Sequence, residues 1–149
     1  MDKAKSPGIS IESVHLLECS VGDVNREGDL KFSLGITRFS RTLVSDGKVL
    51  AVTVSFDLMM GVEKPPCKFQ CTFAATYTRP SEQNMTWEEF QDHVALAHII
   101  PYVREFVSNI TARLPLSVLM VPPVNTRKLL TDYQQLTLKV EGPKSVSSS

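Results

Sequence analysis

Between Leu50 and Tyr77 apolar and polar residues alternate with a period of two, and from Phe90 onward the apolar period lengthens to that of a helix. This switch constrains the fold more than any other feature of the chain. Leu50, Val52, Val54, Phe56 and Leu58 share one face of a strand, as do Phe69, Cys71, Phe73, Ala75 and Tyr77. Phe32, Leu34 and Ile36 alternate in the same manner before a polar tip around Asp46-Gly47, a plausible hairpin turn. Ile9 to Val21 reads as a first strand of mixed phase. Ile11, Leu17, Cys19 and Val21 fall in one phase and Val14 and Leu16 in the other, so the strand has either apolar contacts on both faces or a bulge. Short connections favour an antiparallel meander, because parallel pairing needs a crossover of roughly a dozen residues or more.

One apolar sheet face must be covered, and the helical segment supplies the cover. Thr86-Trp87-Glu88-Glu89 has the form of a capping box. Phe90, Val94, Ala97, Ile100, Val103, Phe106, Val107, Ile110 and Leu114 then recur at helical spacing. Pro101 lies inside this run, so a kink or two helical pieces are expected near His98 to Pro101. Leu116 to Val121 is an extended apolar stretch followed by Pro122-Pro123, and Asn125 can cap a short helix over 126–133. Leu136, Leu138 and Val140 alternate as a further strand would. The expected organisation is a flexible arm over 1–8, an α+β domain over 9–141 and a flexible tail over 142–149.

Function classes narrow by charge and motif. Sixteen basic and sixteen acidic residues cancel, so the electrostatic footprint of a nucleic-acid binder is missing. Cys19, Cys67 and Cys71 are odd in number and read as reduced thiols, which fits the cytosol. The polar amino terminus leads into no apolar region, and no window approaches a spanning helix. His93 and His98 are five apart on the helix, a spacing that does not bring two metal ligands together. There is no nucleophile elbow, phosphate-binding glycine loop or dinucleotide fingerprint. The chain reads as a non-enzymatic binding protein that needs no cofactor.

Pro101-Tyr102-Val103-Arg104-Glu105-Phe106-Val107-Ser108-Asn109-Ile110-Thr111-Ala112-Arg113, followed by Leu119-Met120-Val121-Pro122-Pro123-Val124-Asn125, resembles the SecB family of protein-export chaperones. With the pattern of four strands and a helix, the resemblance spans roughly residues 9–135. It implies an ATP-independent chaperone whose unfolded clients lie in apolar surface grooves, and a homo-dimer or tetramer. It further implies that the Pro101–Arg113 helix, through Tyr102, Arg104, Glu105, Ser108 and Arg113, faces other subunits. The first strand, through Ile11, Leu17 and Cys19, would pair across them. Export-dedicated members are acidic and end in a tail that engages the SecA motor; this chain is neutral and ends in Gly142-Pro143-Lys144-Ser145-Val146-Ser147-Ser148-Ser149. A SecA-like motor is therefore the less favoured partner, and a chaperone dedicated to one client such as an antitoxin is the alternative reading. A non-chaperone assembly subunit or a small-ligand carrier would use the same shell.

Client-binding candidates are apolar residues with no evident duty inside the fold. They are Met59 and Met60 at a strand end, Trp87 and Phe90 at the beginning of the helix region, and Leu116, Val118 and Met120 in the extended segment. Leu129, Leu130 and Tyr133 on the last helix complete the set. Methionine and aromatic side chains suit a surface that accepts varied sequences.

Overall fold

The computed structural model describes residues 8–27, 34–58, 63–79, 86–115 and 119–135. Four strands, β1 (Ser10–Gly22), β2 (Gly35–Val44), β3 (Val49–Asp57) and β4 (Lys68–Thr78), precede the helix α1 (Asp92–Thr111). A short helix, α2, follows over 126–135. The strands form one antiparallel sheet in the order β1-β4-β3-β2. This is the α+β layout that the switch of period predicts. The expected arm and tail, and the alternation at Leu136 to Val140, lie outside the described residues apart from Gly8 and the start of the domain.

Register explains the mixed phase of β1. Two bulges interrupt its pairing with β4, one between Ile11 and Ser13 and one between Leu16 and Glu18. Each inserts one residue, and each therefore flips the side-chain phase. As a result Ile11, Val14, Leu16, Cys19 and Val21 stand opposite Tyr77, Ala75, Phe73, Cys71 and Phe69. Directly opposed residues share a face, so both apparent phases of β1 end on the core side. β2 uses the same device between Ile36 and Arg38, which brings Phe39, Arg41 and Leu43 opposite Val54, Val52 and Leu50.

The connection from β2 to β3 is the expected hairpin, with Ser45, Asp46 and Gly47 all at positive φ. The other sheet face is lined with small polar residues, and Ser13–Thr76 and Ser55–Thr72 each share a hydroxyl hydrogen bond of 2.8 Å across strands.

Helix α1 covers the apolar face with Ala95, Leu96, Ile99, Ile100, Val103, Val107 and Thr111. Phe106 meets Phe69 and Phe73 edge-on, at centroid distances of 6.0 and 5.8 Å. The buried set differs from the expected one: Ala97 is exposed, while Ala95, Leu96 and Ile99 are buried. The reason lies at the amino end. The capping box forms, with Glu89 N donating to Thr86 Oγ1 and Thr86 N donating to Glu89 Oε1, but it closes a separate turn. The helix starts later, with Gln91 as its N-cap. Phe90 thus precedes the helix and cannot set its phase. Pro101 sits within one continuous helix instead of dividing two; it is exposed, so the carbonyl that loses its partner can be solvated.

Arg41 ties the turn to the sheet, donating to the carbonyls of Trp87 (2.7 Å) and Phe90 (3.1 Å) and pairing with Asp92. Trp87 Nε1 in turn donates to Gly47 O in the hairpin.

Candidate functional site: an apolar cleft beside the last helix

Three polar residues on one stripe of α1 hold the chain that follows it. Arg104 Nε donates to Val121 O at 2.9 Å, and Ser108 Oγ donates to Leu119 O at 3.4 Å. Thr111 Oγ1 donates to Val107 O at 2.7 Å and accepts from Leu119 N at 3.0 Å. Spacings of four and three residues place all three on one face of a helix. Their carbonyl and amide partners would otherwise be left without bonds along an extended segment, at a cost of about 1–3 kcal/mol each if buried. The segment is thereby laid against α1 with Leu119 and Val121 turned into the core.

Pro122-Pro123 then directs the chain away, and Asn125 starts α2: its side-chain oxygen accepts from Lys128 N at 3.0 Å. This cap is the one expected from the sequence. Between the Pro122-Pro123 segment, α2 and the entry to β2 lies a cleft of about 280 Å³, bounded by Leu34, Val121, Pro122, Pro123, Val124 and Leu129. Asn125, Lys128 and Asp132 form its polar side, and Lys128 pairs with Asp132 at 3.0 Å. Apolar walls with a few polar groups at the rim suit an apolar side chain carried on a polypeptide. A second concavity, on the outer sheet face, is lined by Glu18, Ser20, Arg38, Ser55, Gln70 and Thr72 among others and offers an apolar segment little to bury against.

The expected client-binding residues divide sharply. Leu129 lines the cleft, and Met120, next to its wall, is 67% exposed. Leu130 is buried in the core and does not line the cleft, and the half-buried Tyr133 accepts a hydrogen bond from Phe39 N at 3.3 Å. Trp87 and Phe90 belong to the core instead, because Arg41 and the hairpin pull their turn onto the sheet and Phe90 packs on Tyr77 with tilted rings, centroids 4.8 Å apart. Met59, Met60, Leu116 and Val118 lie outside the described residues. Leu34, Val121 and the two prolines join the lining without a sequence signal for it: their pattern speaks of strand and backbone constraint, and only the fold brings residues 34 and 124 to one cleft.

The residues expected at subunit seams also separate. Ile11, Leu16 and Leu17 are exposed along β1, an outer strand of the sheet, and Cys19 is exposed beside them. Tyr102 is 49% exposed and Glu105 is exposed on the outer side of α1. Arg104 and Ser108 have duties within the protomer, as described, and Arg113 donates to Asn109 one turn back. Among the described residues no group of three or more His, Cys, Asp or Glu could hold a metal ion. No helix among them is long and apolar enough to cross a membrane.

The solved structure of the Mycobacterium tuberculosis Rv1957 SecB-like chaperone in complex with a ChAD peptide from the Rv1956 HigA1 antitoxin superposes on the chain with a TM-score of 0.62. The chain has a SecB-like fold. The match covers 78% of this chain and 91% of that one at 21% sequence identity. Neither a protein-family profile nor a curated protein sequence matches. The SecB-like layout accounts for the motif that first carried the resemblance: Arg104 and Ser108 of the helix are bonded to the Leu119–Val121 segment that leads into Pro122-Pro123-Val124-Asn125.

Proposed function

We propose that this SecB-like chain is a chaperone that works without nucleotide, holding an extended, apolar stretch of a polypeptide client in the cleft beside α2. The observation that carries this reading is the cleft itself: an open apolar trough with prolines on one side and a charged rim, on a fold shared with a chaperone solved with a bound peptide. A rigid wall limits the conformational entropy lost on binding, which is where much of the affinity of a preorganised groove originates.

A dedicated client is favoured over general export. The chain carries no net charge, whereas the export-dedicated pattern is acidic, and the structurally similar Mycobacterium tuberculosis chaperone is bound to an antitoxin-derived peptide. The antitoxin-like class is accordingly the first to test. Association of protomers through the exposed β1 edge and the Tyr102 side of α1 belongs to the same proposal, and would bring two or more clefts into one particle.

The decisive experiment uses fluorescence anisotropy with labelled, permanently unfolded polypeptides and antitoxin carboxyl-terminal segments, against the native chain and Val124→Glu. Val124 packs on the core while remaining partly exposed at the cleft wall, so a carboxylate there can reach solvent on the cleft side, where it meets the client. Affinity should fall at least about tenfold, equivalent to about 1.4 kcal/mol, with the melting temperature little changed. One tight binder among weak ones supports the dedicated reading, and similar affinity for all supports a general holdase. Native-like affinity in Val124→Glu removes the cleft from the proposal, and absence of binding to every polypeptide removes the chaperone.

A further inference from the structure

Cys19 and Cys71 stand directly opposite each other in the β1–β4 ladder, and both are free thiols. Opposed residues of an antiparallel pair have Cα atoms about 4.5 to 5.5 Å apart, inside the roughly 4.4–6.8 Å span of a disulfide. Their side chains leave the same face of the sheet. The closeness is felt electrostatically: burial pushes the Cys71 thiol up to about 12, and the neighbouring Cys19 adds to the rise. Cys67 precedes β4 and has no opposed residue in the β1–β4 ladder.

We propose that Cys19 and Cys71 form an oxidation site, a thiol pair that closes into a cross-strand disulfide and staples the outer strand β1 to β4. Cys19 is exposed and Cys71 is buried, which orders the steps. The Cys19 thiolate attacks a low-molecular-weight disulfide such as oxidised glutathione. The oxidant's S–S bond breaks, a mixed disulfide forms on Cys19, and one small thiol departs. Cys71 then gives up its proton to water and attacks the Cys19 sulfur, expelling the second small thiol. Two protein thiols are oxidised and one small disulfide is reduced to two thiols. The second step is the slow one, since burial disfavours the Cys71 thiolate.

The link falls two residues beyond the Leu17 bulge and encloses β2 and β3 in a covalent loop. Closure restricts the unfolded chain and fixes the register of β1.

The test treats the full chain with oxidised glutathione at mildly alkaline pH, blocks free thiols with iodoacetamide, and maps non-reduced peptides by mass spectrometry. A Cys19–Cys71 peptide, the loss of two hydrogens from the intact protomer, and a rise in melting temperature that a reductant reverses are the expected results. Cys67→Ser should retain all three, and Cys19→Ser should lose them while staying folded. Recovery of Cys71 as the alkylated thiol after denaturation overturns the proposal. So does an end state in which Cys19 is joined only to glutathione or to Cys19 of a second copy.

Discussion

Thr111 is the residue on which the cleft wall turns. It is buried, it ends α1, and its one hydroxyl serves two backbone groups, those of Val107 and Leu119. Thr111→Val keeps the shape and removes both bonds. The Leu119 amide then has no acceptor, and stability should fall by about 1–3 kcal/mol in a urea titration, whereas Thr111→Ser should retain most of it. Two titratable side chains make a prediction with a sign. Burial raises both Cys71 and Tyr77 to about 12, from 9.0 and 10.0 respectively. The unfolded chain therefore loses these protons first, so stability is full below about pH 9 and declines as pH rises toward 12. Denaturation midpoints measured from neutral to alkaline pH should show that fall. Cys71→Ala should make this fall shallower, and the contributions of Tyr77 and of Cys19 and Cys67, whose thiols burial also raises, should remain.

At the scale of elements, bulges decide where β1 puts its side chains. Deleting Leu17 removes one bulge but leaves Leu16 opposite Phe73 and Val14 opposite Ala75 in a regular ladder, so the faces are kept. The deletion should therefore melt close to Leu17→Ala, which keeps the bulge; a melting temperature far below it would show that the bulge is needed for more than the side-chain phase. The same element marks the boundary of what can be read from residues alone. β3 and β4 alternate without a break, so their buried faces follow from parity, and Asn125 announces α2 because a cap needs only local partners. Bulges carry no residue signature, and in β1 the phase break leaves open whether both faces are covered. Thr86–Glu89 shows the reverse case: a local motif forms as its residues dictate, yet caps a lone turn because Arg41, forty-five or more residues earlier in the chain, holds that turn against the sheet. The cleft depends on distance in the same sense. Leu34 and Val124 meet only after the sheet and both helices are in place, and nothing near either residue encodes the other.

For the whole molecule, the two outer strands are unequal. β1 carries Ile11, Leu16 and Leu17 in the open, Leu17 at 57% exposure. On β2 the amide of Phe39 is engaged by the hydroxyl of Tyr133 from α2. Outer strands with free backbone groups and apolar side chains invite pairing. Light scattering should give a mass of at least two protomers, and Leu17→Lys should lower it while the fold is kept; an unchanged mass would move the contact away from β1. The inequality also has a consequence for how far such pairing can run. A sheet that can be joined on both sides is a monomer for a fibre, each addition presenting a fresh end. Here the Tyr133 hydroxyl holds one amide of the β2 edge, so two sheets joined through β1, as proposed, would offer the next arrival edges already engaged by α2. Such pairing would be discouraged from extending by the same side chain that anchors the helix beside the cleft.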